Sequence, residues 1–182
     1  RLSKNSPKLT VALLGSGLSS ELFFDELPLE VKVAIEPKAD LQQLVHKHSP
    51  NTKIFSDVRT VVDDLERGSL KGETIRTDIV SGTMPCYEET SLAIYNNRET
   101  PHEDGDLFRN YLLRYVSATR PRVVLAEMTP PHAANGMSHH QVVKELEKLG
   151  YQVVVTDRLP SCFCGDATHR DRWFVLAFLE FG

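Results

Sequence analysis

The sequence predicts an α/β fold with a mostly parallel sheet and one antiparallel strand near the C-terminus. Three observations predict it. Short apolar runs alternate with segments of helical period along most of the 182 residues, the pattern of parallel strands joined by crossover helices. The first runs end in glycine or in polar side chains, as expected of strands that deliver chemistry to one edge of a sheet. The last two apolar runs have no helical segment between them, so one of them is expected to run against its neighbours.

The elements follow in order. "LTVALLG" (9–15) is a buried strand that ends in the tight turn "GSG". "SSELFFDEL" (19–27) opens a helix, with Ser19 or Ser20 as its cap. "VKVAI" (31–35) is the second strand and ends at Glu36, and 38–48 has helical spacing at Leu41, Leu44 and Val45. "KIF" (53–55) is a third short strand, followed by a helix over 58–68 that stops at Gly68. "TDIVSGT" (77–83) is the fourth strand. The polar stretch 87–103 has no period and is long for a simple connection. Helix 105–119 places Leu107, Phe108, Tyr111, Leu112, Tyr115 and Val116 on one face. Strand 122–128 ends near Glu127, helix 139–150 stops at Gly150, and strands 151–159 and 172–181 complete the chain.

Composition bounds the function. A length of 182 residues is that of one domain, and 41% hydrophobic with 25% charged residues is ordinary for a globular protein. The formal net charge of −4 lacks the basic footprint of most nucleic-acid binders. Three cysteines, Cys86, Cys162 and Cys164, make no disulfide framework and fit a reducing compartment. No apolar run approaches the roughly 18–20 residues that span a membrane. The polar start "RLSKNSPK" lacks the apolar core of a signal peptide and an initiator Met, so a trimmed or processed start is expected. An intracellular location is expected, nuclear in a eukaryote and cytoplasmic in a prokaryote.

The strand ends carry the candidate chemistry: Gly15 and Gly17, Glu36, Asp57, Pro85–Cys86 and Glu127. Gly15 and Gly17 allow a ligand to approach the backbone closely. Glu36 follows Gly17 by 19 positions, the spacing at which an acid accepts hydrogen bonds from ribose hydroxyls. Asp57 is placed to meet an adenine edge. The third glycine of a dinucleotide fingerprint is missing, because position 20 is Ser20, which favours other adenosine cofactors. The plainer alternative is a pair of turn glycines and a solvated carboxylate.

Cys86 is either a small core residue or a thiol held at a strand end, where a cationic setting would favour the thiolate. Arg170 and Arg172 are the cations in view, two residues apart and on one side if the segment is extended. Glu127 is either an exposed strand end or a carboxyl held as a proton donor. Cys162 and Cys164 form one C-x-C near His169, too few ligands for a structural zinc site; no metal is expected.

In this order the pieces resemble the DNA (cytosine-5) methyltransferase family over nearly the whole chain. "LLGSG" is similar to its first cofactor motif, "SDV" to the motif whose Asp contacts adenine, "GTMPC" to its Pro-Cys nucleophile motif, and "EDGDLF" to the motif after it. "AEM" falls where the family has Glu-Asn-Val, and "THRDR" where it has Gln-x-Arg-x-Arg. The resemblance implies a Rossmann-like fold that uses S-adenosylmethionine and releases S-adenosylhomocysteine. It places Leu14, Gly15, Gly17, Leu18, Glu36, Pro37, Asp57, Val58, Pro85 and Leu107 around that cofactor. It implies that Cys86 adds to C6 of a cytosine flipped out of DNA, Glu127 holds N3 and the exocyclic amine, and Arg170 and Arg172 position the base oxygen.

Three departures stand out: Met128 replaces Asn, Thr168 replaces Gln, and "YEETS" follows Cys86 in place of Gln-x-Phe-Ser. The family's target-recognition region and last two motifs are absent from these residues, so a further segment or a second chain is expected to supply recognition. A non-catalytic binding or regulatory relative and an RNA cytosine methyltransferase stay open as alternatives.

Overall fold

The structure, a computed structural model, describes residues 7–15, 27–83, 103–128, 137–160 and 171–179. Among them lie strands β1 (Leu9–Leu14), β2 (Leu29–Ile35), β3 (Lys53–Phe55), β4 (Ile79–Thr83), β5 (Val123–Met128), β6 (Tyr151–Pro160) and β7 (Asp171–Leu179). The helices are α1 (Ala39–His48), α2 (Val58–Glu66), α3 (Gly72–Ile75), α4 (Glu103–Thr119) and α5 (Met137–Lys148). The strands form one sheet in the order β3-β2-β1-β4-β5-β7-β6. β1 to β5 pair in parallel, while β7 runs antiparallel to both β5 and β6. The expected α/β class and the antiparallel strand near the C-terminus are therefore both present. The expected helix at 19–27 lies almost entirely outside the described residues, as does the polar stretch up to residue 102.

Helices cover both faces. On one face Val58, Val61 and Val62 of α2, Ile75 of α3, Leu112, Tyr115 and Val116 of α4, and Val142 and Leu146 of α5 bury the inward residues of β1, β2, β4, β5 and β7. On the other face Val45 of α1 packs with Val11, Leu13, Val31 and Ala34. The register of β1 against β2 shifts at Val11/Ala12, where Lys32 is the extra residue. That bulge moves Val33 and Ile35 to the opposite face from Val31, because one inserted residue inverts the two-residue period of a strand. The short helix α3 has no counterpart in the sequence reading: "GETI" spans about one turn, too little for a 3.6-residue period to show.

The amino edge of the sheet is clasped by Thr10 and Asp78. Asp78 Oδ2 accepts from Thr10 N at 2.8 Å and from Thr10 Oγ1 at 2.7 Å, and Asp78 N donates to Thr10 Oγ1 at 2.9 Å. These bonds favour the carboxylate and hold the Asp78 pKa below its usual value. A depressed carboxyl pKa stabilises the fold above the unfolded value near pH 4, and this is lost as pH falls through the lower folded value. Asp78→Ala is expected to cost about 2 kcal/mol at neutral pH. In urea titrations the gap between wild type and variant should narrow below pH 4; a gap independent of pH would refute the role of the charge.

Candidate active site

β1 and β4 are neighbours, and the strand order reverses between them. In open α/β sheets this switch point opens a crevice at the carboxyl ends of the strands. Gly15 stands there with φ of 69°, a left-handed conformation that a Cβ would strain. Its N–H donates to Ile35 O at 2.9 Å, and Glu36 N–H donates to Phe55 O at 2.9 Å. The two bonds tie the ends of β1, β2 and β3 side by side, so Leu14–Gly15, Glu36–Pro37 and Asp57–Val58 line one edge.

Glu36 is not the solvated carboxylate that the sequence also allowed. It is only 3% exposed, and its Oε1 accepts from Lys38 N at 3.0 Å. Gln42 of α1 closes the same turn, donating from Nε2 to Glu36 O at 2.6 Å. Sequence reasoning missed Gln42, since nothing in helical spacing singles out a residue that reaches back six positions. Asp57 is exposed and caps α2: Oδ1 accepts from Arg59 N at 3.1 Å, and Oδ2 accepts from Thr60 N at 3.4 Å and Thr60 Oγ1 at 3.1 Å. A carboxylate has about four acceptor positions, so the cap orients Asp57 and leaves it capacity for a further donor. Val58 is the first residue of α2 and is buried against the core.

The other half of the edge comes from β4, β5 and β7. Thr83, the last residue of β4, stands beside Glu127 in register. Glu127 pairs with Phe174 across β5 and β7, so Arg172, two residues before Phe174, projects on the same face as Glu127. Arg172 Nε and Glu127 Oε1 form an ion pair, with side chains 16% and 24% exposed. Arg172 Nη1 also donates to Asp171 O at 2.8 Å. Glu127 is thus neither a bare strand end nor sealed in the core. It is a half-buried carboxylate held against a guanidinium.

Met128 and Trp173 are cross-strand partners one residue on and point to the opposite, fully buried face. His139, 1% exposed, meets the Trp173 ring edge-on, with centroids 4.7 Å apart and planes at 84°. The Met that departs from the family pattern is therefore a core residue beneath the edge. His139 is thus part of the buried face beneath the edge.

α4 reaches toward this edge. Leu112 packs so closely on Gly82 that a Cβ there would lie 3.2 Å from Leu112 Cδ1. Leu107, five residues nearer the start of α4, lies about 7.5 Å farther along the helix axis. The structure thus brings Leu14, Gly15, Glu36, Pro37, Asp57, Val58, Glu127 and Arg172 to one edge, with the backbone of Leu107 in the helix above it. Gly17, Leu18, Pro85, Cys86 and Arg170 lie outside the described residues, as do Cys162, Cys164 and His169. Among the described residues there is no cluster of metal-ligating side chains and no helix long and apolar enough to cross a membrane.

The fold has known counterparts. The Dnmt2 methyltransferase of S. pombe is similar with a TM-score of 0.71 at 16% identity, over 96% of this chain and 51% of that one. A candidate DNA modification methyltransferase encoded within an E. coli prophage gives 0.70 at 19% identity, over 94% and 47%. A candidate RNA methyltransferase from Pyrococcus horikoshii gives 0.55 at 16% identity, over 96% and 76%. The chain spans about half the length of the first two. At these identities the likeness shows the fold, that of methyltransferases. No curated protein matches the sequence. The family model of the C-5 cytosine-specific DNA methylases matches residues 16–181, which take in the edge just described except for Leu14 and Gly15. The chain belongs to the C-5 cytosine-specific DNA methylase family.

Proposed function

We propose that this chain is the cofactor-binding and catalytic portion of a methyltransferase that acts on C5 of cytosine in DNA through a covalent bond from Cys86 to C6. The observation that carries the proposal is the pairing of Glu127 with Arg172 at the same sheet edge as Gly15, Glu36 and Asp57. One edge offers an adenosine cradle and, beside it, an ion pair suited to a polar base.

The residues fit S-adenosylmethionine. A glycine with positive φ next to a buried carboxylate suits a ribose held close to the backbone, and Asp57 retains acceptor capacity for an exocyclic amine. Leu14, Pro37, Val58 and Leu107 would supply apolar contact, with Gly17, Leu18 and Pro85 completing the cradle. When bound, S-adenosylmethionine supplies the methyl group and departs as S-adenosylhomocysteine.

The chain's own residues do the rest. The Cys86 thiolate adds to C6, and the π pair of the C5=C6 double bond moves onto C5, where it is shared with N3 and the ring oxygen. Glu127 holds N3 through a proton that the two share and accepts from the exocyclic amine as charge builds on the ring, a form of stabilisation worth most in a site shielded from water. Arg172, with Arg170 two positions earlier in the sequence, would position the ring oxygen. Once C5 carries the methyl group, its proton passes to solvent water, and the electron pair it leaves expels Cys86 and restores the aromatic base. The cytosine must leave the stack for any of these contacts to form.

The names of the similar structures mention both DNA and RNA, so the test carries both polymers. Protein, S-adenosylmethionine and DNA or RNA containing 5-fluorocytosine are incubated, and a covalent adduct is sought on a denaturing gel. Fluorine at C5 cannot leave as a proton does, so the adduct should accumulate with DNA and vanish in Cys86→Ser. Adduct with RNA alone transfers the activity to RNA. No adduct with either polymer, from protein shown to bind the cofactor, favours a non-catalytic partner role. Recognition of the target by a further segment or second chain, and an intracellular site of action, complete the proposal.

A further inference from the structure

At the opposite, amino edge of the sheet lies a cavity of about 590 Å³, between the α2–α3 connection and the end of α4. Lys71, Arg76 and Arg120 line it with a single carboxylate, Glu73, while Leu65 and Leu70 form an apolar part of the wall. In a chain of net charge −4, a cavity with a surplus of two cations runs against the overall balance. Neither Lys71 nor Arg76 takes part in an ion pair among the described residues, and both side chains are exposed. Like charges gathered around one concavity repel until an anion enters.

Arg120 is already fixed. Its Nη1 donates to Leu149 O at 2.6 Å, and its guanidinium lies over the Tyr151 ring, 5.5 Å from the centroid. One of its five N–H donors is used in that hydrogen bond, and guanidinium pairs well with phosphate. Its backbone has φ of 49°, in the region that glycine occupies at many helix ends.

We infer that this cleft binds a nucleotide, its base against Leu65 and Leu70 and its phosphate held by Lys71, Arg76 and Arg120. The volume is within the range of small-ligand sites. β4 separates the cleft from the proposed reaction edge by about 16 Å, taking 3.3 Å per residue, so the site is distinct from that of Cys86 chemistry. The nucleotide is either free or one unit of a nucleic-acid strand, and the phosphate chemistry is the same for both.

Calorimetry on the 182-residue chain in excess S-adenosylhomocysteine, which occupies the proposed adenosine cradle, with AMP, and separately with a single-stranded 12-nucleotide oligomer, tests this. Lys71→Ala/Arg76→Ala should weaken binding about tenfold or more and lower the salt dependence of oligomer binding by about 1.5, from two lost phosphate contacts. Its thermal midpoint should match wild type, because both side chains are exposed. Loss of AMP binding identifies a free nucleotide as sufficient; loss confined to the oligomer identifies a strand. Wild-type protein that binds neither probe, or a double variant that binds both as tightly as wild type, overturns the inference. Cys86→Ser should leave cleft binding intact, which separates failure here from failure of the proposed catalysis.

Discussion

Glu127→Gln is expected to lower methyl transfer by about 10²–10³-fold while the protein stays folded. The change keeps the shape of the side chain and removes its charge. If Glu127 holds N3 and the amine of cytosine as the adduct forms, the lost interaction is strongest at the transition state. Groups aimed at developing charge in a shielded site are worth about this much. The loss should therefore fall mainly on kcat, with a smaller effect on KM. The same substitution leaves Arg172 facing a neutral amide. Because the pair is only partly exposed, the fold should lose about 1–2 kcal/mol, visible as a lower urea midpoint.

Arg172→Met completes the argument as a double-mutant cycle. If the guanidinium acts only by orienting Glu127, the double variant should be no slower than Glu127→Gln alone. If Arg172 also faces the base oxygen, the two losses should approach additivity in free energy. Glu127→Gln with unchanged kcat would remove the carboxylate from the chemistry and leave the ion pair a structural tie between β5 and β7.

How much of this was legible in the sequence depends on the range over which each feature is encoded. Strand ends are local. "LLG", "IE" and "LAE" each show an apolar run giving way to one informative residue, and the parallel sheet brings these ends together without further instruction. The turn at β7 was also legible, because 160–171 offers no helical period to carry a crossover. The bulge at Lys32 was not. "VKVAI" reads equally as a loose alternation or a continuous run, and its inversion of faces follows only from pairing with β1. The Thr10–Asp78 clasp joins residues 68 positions apart, with no local signature. The pairing of Glu127 with Arg172 was out of reach for the same reason. Both residues stood out in the sequence, but their contact depends on an antiparallel register that composition does not encode.

Met128→Asn, which puts the family's usual residue at this position, is expected to destabilise this protein by about 2–4 kcal/mol. Read from the sequence, Met128 is a departure beside the proposed catalytic acid and a reason to doubt the activity. Read from the sheet, it is fully buried, paired across from Trp173 and embedded with Val124 and Ala126 under the helices. Truncating a buried Met leaves a cavity, and an amide on that apolar face must find partners for its donors and acceptor or lose hydration uncompensated. His139 already packs edge-on against Trp173 and has contacts of its own, so a new amide would have to compete for the polar atoms near this face. Chemical denaturation should show the loss, and Met128→Leu, which conserves volume and polarity, should lose less than about 1.5 kcal/mol. An Asn variant as stable as wild type would mean that a polar partner waits on the buried face. With the expected loss, the departure at 128 belongs to the packing of β5 against β7, and the carboxylate one residue earlier keeps its place on the opposite side of the sheet, paired with Arg172.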